Sequence, residues 1–374
     1  MMNVVVLGAT GHFGERISRR IIGEPNTRLI VSSRNQGTAH ALASSLDRQR
    51  SGIEVSAAVL DQDSDDFESR LLSLDPDIVI HTAGPYQGRS YRVAEACIEC
   101  GSHYVDLADG REFVSGFSRL NDRALATNVL LVSGASTLPG LSSVVVAELR
   151  NEFSEINSID ISIAPAHKTP RGIGTVAAVL SYCGRPFTTR VEGQWQRRFG
   201  WQDLRGIRYE DLGYRWAAAC DVPDLDLFPK YLNDVETVTF HAALESKLEQ
   251  LGLWLMAAAV RTGFVADWSK YAARLQNVSR KLMFFGSDRG GMRIRLDGLD
   301  TGGKCKSAEW NLVAEQNHGP EIPCTPALII ARKLASGNLR QRGAMPCWNL
   351  FTLRDFDTEV SDFDIRWRIK DQAD

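Results

Sequence analysis

The segment VVVLGATGHFG, residues 4–14, leaves this chain few ways to fold. Val4 to Leu7 are four consecutive apolar residues, the mark of a short strand buried on both faces. They run straight into Gly8-Ala-Thr-Gly11-His-Phe-Gly14, and residues 15–22 behind the glycines read as a helix. Strand, glycine turn and helix in immediate succession suit the pyrophosphate of a dinucleotide. Glycine allows the tight turn out of the strand, brings the backbone close to the phosphates and lets the helix lie close on the strand. The first helical turn adds free N–H groups and the positive end of the helix dipole. The spacing, GxxGxxG, is looser than GxGxxG, so the motif draws its weight from the buried strand before it and the helix after it. A plain strand–helix turn is the competing reading.

The pattern continues. Residues 28–33 (RLIVSS), 53–60, 77–83 (DIVIHTA), 103–107 and 129–133 (VLLVS) read as strands, and 38–46, 65–74, 91–100 and 112–128 as helices between them. Strands and helices in alternation mean βαβ units on a parallel sheet. Residues 1–140 are therefore expected to form a doubly wound α/β domain of the Rossmann type. After a loop of small residues (SGASTLPG, 133–140) the rhythm changes. Residues 141–153 read as a helix and 156–164 (INSIDISIA) alternate with period two, as a strand with one wet face does. Residues 175–182, 247–265 and 269–285 read as helices and 235–243 as a strand. Residues 292–299 and 307–315 alternate around Asp300-Thr-Gly-Gly-Lys304, and on this spacing read as an antiparallel hairpin. The expectation for 141–322 is an α+β, mostly antiparallel domain for substrate and dimerisation. Residues 323–374, with a helix at 327–336 and the alternating FDIRWRI near the end, are expected to pack back on the first domain.

Two domains suit 374 residues, too many for one ordinary core. A net charge of −3 without a basic block argues against nucleic-acid binding. Seven scattered cysteines, an odd number, and no secretory apolar segment suggest reduced thiols in the cytoplasm. Cys97 and Cys100 lie in a helical run with no second pair, so they read as free thiols, and no His/Cys cluster has the spacing of a metal site. The most apolar run, 251–260 (LGLWLMAAAV), falls short of the ~20 residues of a bilayer span. It reads as a buried or interface helix, with peripheral membrane contact as the alternative.

An NAD site usually ends its second strand in an acid that binds the ribose 2′-hydroxyl. Here that end reads Ser32-Ser33-Arg34-Asn35. Ser33 and Arg34 suit a 2′-phosphate, which a carboxylate would repel, so NADP is favoured over NAD. Asp61, closing the third strand, either accepts from the adenine amino group or caps the next turn. Gly84-Pro85 follow the fourth strand at the carboxyl edge of the sheet, where backbone can approach the ribose-nicotinamide end. Hydride transfer needs one proton donor or acceptor beside the cofactor. Asp106 and Asp109 after the fifth strand, His81, Tyr86 and Tyr104 are the candidates, with a packing or capping role open for each. Lys168 and Arg171, before a helix, are candidates for an anionic group of the substrate.

The blocks GATGHFG, HTAGPYQGRSYRVAEACIECGSHYVDLADG and SGASTLPGLSS together resemble the saccharopine dehydrogenase-like NADP-binding oxidoreductases. GSDRGGMRIRLDG and GPEIPCTPALIIARKLASG resemble the less characterised bacterial members. The resemblance implies a Rossmann domain followed by a sheet domain used for substrate and often for a dimer. It places Gly8, Thr10, Gly11, Phe13 and Gly14 on the pyrophosphate, Ser33 and Arg34 on the 2′-phosphate, and Gly84 with Pro85 on the nicotinamide side; His12 and Ala83 beside them are further cofactor-binding candidates. Tyr86, Tyr104, Asp106 and Asp109 would edge the substrate cleft. The cationic contexts that bind several carboxylates in the lysine-pathway enzymes are missing, so saccharopine itself is not implied. Extended short-chain dehydrogenases share the opening but use Tyr-x-x-x-Lys, and none of the eight tyrosines has lysine four places on. A non-catalytic NADP-binding regulator is the second alternative.

Overall fold

A computed structural model describes residues 1–22, 26–48 and 53–372. The strands, in chain order, are β1 (Met2–Leu7), β2 (Thr27–Ser33), β3 (Glu54–Val59), β4 (Ile78–His81), β5 (His103–Asp106), β6 (Leu130–Ser133), β7 (Phe153–Ala164), β8 (Pro186–Val191), β9 (Gln194–Phe199), β10 (Gln202–Tyr209), β11 (Gly213–Ala219), β12 (Thr237–Ala243), β13 (Gly290–Asp300), β14 (Cys305–Ala314), β15 (Gly343–Pro346) and β16 (Ile365–Gln372). The chain forms two compact units, one of Met1–Gly140 with Glu321–Phe356, the other of Leu141–Pro320 with the residues from Asp357 onward.

The first unit is a parallel sheet of seven strands in the order β15-β6-β5-β4-β1-β2-β3. Strand order reverses direction between β1 and β4, the crevice where open α/β sheets bind their ligands. Val4, Val5, Val6 and Leu7 are buried, as a central strand covered on both faces must be. The six strands read from the sequence are present, and β15 adds a seventh beside β6. The single helix expected at 112–128 is instead three short pieces, Arg111–Ser115, Phe117–Leu120 and Asn121–Ala126, interrupted at Gly116. A β-carbon at Gly116 would lie 2.6 Å from Arg119 Nη2 and 2.9 Å from Tyr91 Oη, so the ends of both side chains would have to shift.

The second unit holds a seven-stranded sheet in the order β10-β11-β12-β7-β13-β14-β16, antiparallel except for β12 on β7, and a separate β8–β9 hairpin. Ile159, Ile161, Ile294, Leu296 and Trp310 form its buried apolar face. The tail, expected to pack back on the first domain, is divided between the two units. Glu321–Phe356 belongs to the first unit, whereas β16 pairs with β14 along eight residues. The pairing is driven by alternation: Trp367 sits opposite Leu312 and Ile369 opposite Trp310, while Arg368 and Lys370 take the polar side.

Candidate dinucleotide site

The site begins at the turn between β1 and α1 (His12–Ile21). Gly8 adopts a φ of +81°, a conformation that L side chains rarely enter, and Gly11 N donates to Gly8 O at 2.9 Å to close the turn. At Gly14 a β-carbon would lie 2.3 Å from Gly8 O and 2.6 Å from Thr82 Oγ1. Thr82, just after β4, donates its hydroxyl to Leu7 O (2.9 Å) and Gly8 O (3.1 Å), which binds the two central strand ends to each other. Helix α1 therefore starts almost in contact with strand backbone, and no side chain caps it. A pyrophosphate can take up its first-turn amides. His12 and Phe13 in that turn are half-buried. Burial, helped by the Arg16 charge, lowers the His12 pKa to about 4, so His12 is neutral near pH 7.

One hydrogen bond ties the glycine turn to the end of β2. Thr10 Oγ1 donates to Ser33 Oγ at 3.2 Å, and Ser33 Oγ is also 3.0 Å from Thr38 Oγ1 and accepts from Asn35 N at 3.3 Å. Asn35 caps α2 (Gln36–Asp47) by accepting from Thr38 N. Arg34 lies between these two polar residues, exposed, and has no hydrogen-bond or ion-pair partner among the described residues. A cluster of hydroxyls with an unpaired guanidinium is the environment a phosphate monoester needs, so these residues fit a nicotinamide dinucleotide phosphate. Asp61 accepts from Asp63 N at 3.1 Å and so closes its own turn.

On the β4 side, Ala83 Cβ lies 2.9 Å from where a Gly8 β-carbon would be, and the Gly84–Pro85 peptide is cis. Tyr86 is buried and donates to His81 O at 2.6 Å. Next comes a sealed polar chain. Tyr104 Oη donates to Asp106 Oδ2 at 2.9 Å and lies 2.9 Å from His81 Nδ1. With the tyrosine proton given to Asp106, His81 must donate from Nδ1, which leaves its buried Nε2 as a bare acceptor. The other Asp106 oxygen accepts from Ala108 N (2.9 Å), Ser133 Oγ (3.0 Å) and Gly134 N (2.7 Å). Burial raises the Asp106 pKa to about 6 against the pull of these donors, and lowers that of His81 to about 3. Tyr104 and Asp106 are fully buried, so they bind one another and the ends of β4, β5 and β6 rather than an incoming molecule. Asp109 alone of the five proton-transfer candidates is exposed; it accepts from Gln87 Nε2 at 3.0 Å, and desolvation by the chain around it raises its pKa.

Lys168 and Arg171 belong to the second unit. Lys168 is exposed, while Arg171 is half-buried with its pKa lowered by burial and one buried Nη2 without a hydrogen-bond partner. The polar face of the same unit's sheet carries a feature that the period-two pattern announces only as a wet face. Asp160 is paired with Arg205, with Arg293 at 3.0 Å and with Thr239 at 2.6 Å, and Arg293 reaches Glu309 at 2.6 Å. Asp160, Arg205, Arg293 and Glu309 line a cavity of about 730 Å³. All seven cysteines are free, and Cys97 is buried with its thiol pKa pushed well up by burial.

The parallel sheet, the reversal of strand order at β1 and β4 and the glycine turn at that point define a Rossmann-type dinucleotide-binding protein. Residues 4–133 match the saccharopine dehydrogenase NADP-binding domain. In fold the chain is similar to the apo saccharopine dehydrogenase (L-Glu forming) of Saccharomyces cerevisiae, at 12% identity with a TM-score of 0.69 over 100% of both chains. An amine dehydrogenase from Mycobacterium smegmatis aligns at 12% identity and a TM-score of 0.47, over 92% of this chain and 94% of its own. Among curated proteins none matches the sequence.

Proposed function

We propose that this protein is an NADP(H)-dependent oxidoreductase that moves a hydride to or from a C=N or C=O carbon of a small molecule. The observation that carries the reading is the end of β2, where Ser33 is hydrogen-bonded to Thr10 of the glycine turn and Arg34 stands exposed with no acid beside it. The match of residues 4–133 to an NADP-binding domain supports the cofactor. Bound NADP(H) supplies or accepts the hydride. In this reading Gly8, Thr10, Gly11, His12, Phe13 and Gly14 present the backbone to the pyrophosphate, and Ser33 and Arg34 hold the 2′-phosphate. Asp61 lies toward the adenine, and Ala83, Gly84 and Pro85 form the backbone on the nicotinamide side. Asp109, exposed and raised in pKa, exchanges the proton with the substrate. Asp106, Tyr104 and His81 hold the β4 and β5 ends in register, Tyr86 packs on them, and Lys168 and Arg171 meet an anionic group of the substrate. A cytoplasmic homodimer completes the reading.

One observation favours a non-catalytic NADP-binding regulator instead: Tyr104 and Asp106 are sealed from any substrate. The test is a titration of the protein with NADPH and NADH, read by energy transfer from its tryptophans. Arg34→Ala should weaken NADPH by roughly tenfold to a hundredfold, the loss of a hydrogen-bonded charge pair, and leave NADH unchanged. Equal loss for both nucleotides would remove Arg34 from the 2′-phosphate, and no binding of either would remove the oxidoreductase reading. Tight NADPH binding without turnover on a panel of imines and carbonyls would favour the regulator.

A further inference from the structure

The apolar run at 251–260 is not the buried helix that its composition suggests. It lies in the helix Lys247–Arg261, where Ala257 is the run's one fully buried residue. Leu248, Leu251 and Leu255, spaced along one helical face, are exposed, Leu248 by 71% and Leu255 by 56%. Phe264 follows at 88%, and the next helix, Ala272–Leu282, exposes Val278 by 57%, with Phe284 beyond it at 83%. Ser279 Oγ donates to Glu249 Oε1 at 2.9 Å and Trp268 Nε1 to Met256 O at 2.9 Å, so the two helices and their connection form one body.

The charge of this stretch singles out a partner. Residues 247–285 contain six Lys and Arg against two acids, a formal +4 in a chain whose total is −3. Lys270, Arg274, Arg280 and Lys281 are exposed and make no ion pair among the described residues. Glu249 is taken up by Ser279 and His167, and Asp267 by its neighbour Ser269, through N at 2.8 Å and Oγ at 2.7 Å. The contrast is with the polar sheet face, where arginines are matched by acids. A two-fold contact between copies would lay this basic surface on itself. An anionic surface relieves the charge and covers the leucines and phenylalanines together.

We propose that the helices Lys247–Arg261 and Ala272–Leu282, with Phe264 and Phe284, dock the protein peripherally on an anionic phospholipid bilayer. No helix of the described residues is long and apolar enough to cross a membrane, so the helices lie in the interface with their apolar residues at the acyl boundary. The experiment is flotation of the full chain with vesicles of phosphatidylcholine alone and of phosphatidylcholine with phosphatidylglycerol, at low and high salt. NADPH titration of each variant checks its fold. The protein should float with the mixed vesicles at low salt and several-fold less with the neutral ones. Arg280→Gln with Lys281→Gln should weaken binding roughly thirtyfold and Phe264→Ser roughly tenfold, with NADPH binding intact. Failure to float with either vesicle overturns the proposal, and so does binding indifferent to phosphatidylglycerol and to both variants. A dimer in light scattering that Phe264→Ser dissociates also overturns it, by assigning the surface to a second copy.

Discussion

Replacing Asp106 by Asn isolates the energetic consequence of burying a carboxylate at the ends of β4, β5 and β6. Four hydrogen bonds meet the Asp106 carboxylate, yet burial still raises its pKa from 3.8 to about 6. The folded protein therefore binds a proton more tightly than the unfolded chain does, and stability falls as pH rises between these values. The full difference is about 3 kcal/mol, present below about pH 4 and lost above about pH 6. About 1 kcal/mol of it falls between pH 5 and pH 8. Asn preserves the shape. Its oxygen can accept from Ala108, Ser133 and Gly134, and its NH₂ group faces Tyr104, which then turns its proton to His81; the unpartnered Nε2 of His81 leaves that ring free to take the other tautomer. Relative to the wild type, Asp106→Asn should gain about 1 kcal/mol between pH 5 and pH 8. Hydrogen exchange of the β5 and β6 amides, corrected for the intrinsic pH dependence, measures this within the first unit. Asp224, buried and raised to about 7, titrates in both proteins and cancels in the difference. A difference independent of pH, or one that shrinks as pH rises, refutes the assignment of Asp106 as a costly buried carboxylate.

Gly14→Ala puts a β-carbon 2.3 Å from Gly8 O, which forces α1 off the sheet. We expect a loss of about 3 kcal/mol in thermal or urea unfolding and at least a hundredfold weaker NADPH binding, whereas Gly11→Ala, 3.1 Å from the same oxygen, should be several-fold milder. Asp109→Asn should lower turnover by roughly a hundredfold or more on any substrate found, with the NADPH dissociation constant unchanged; unchanged turnover would take Asp109 out of proton transfer. Asp224→Asn should make the second unit more stable as pH rises from about 6 to 8, since Asp224 in the wild type loses its proton near pH 7 while buried on Ser142.

The first unit was legible because its signals are local. Val4 to Leu7 need only be apolar to be a central strand, and Gly8 and Gly14 are required by contacts within the same strand–turn–helix and its neighbour β4. The missing acid after β2 is likewise a fact of composition, and it already favoured a phosphate. Other features depend on partners distant in sequence. Strands β8 to β10 were not apparent because few of their residues are buried, so a polar stretch such as QWQRRFGWQDLRGIRY carries no apolar period to detect. The tail strand β16 alternates as expected, but its side of the molecule was settled by the match of Trp367 and Ile369 to β14, more than fifty residues upstream. Likewise, YVDLAD could not say which aspartate would be sealed. Asp106 is enclosed by donors from residues 133 and 134, while Asp109, three places on, stays open. The sequence alone determined the dinucleotide fold and the sign of the charge at its 2′ end, because those are properties of contiguous residues. Only the tertiary structure decided which carboxylate reaches solvent, where the tail pairs, and that Leu248, Leu251 and Leu255 stay exposed, because burial is set by what packs from elsewhere in the chain.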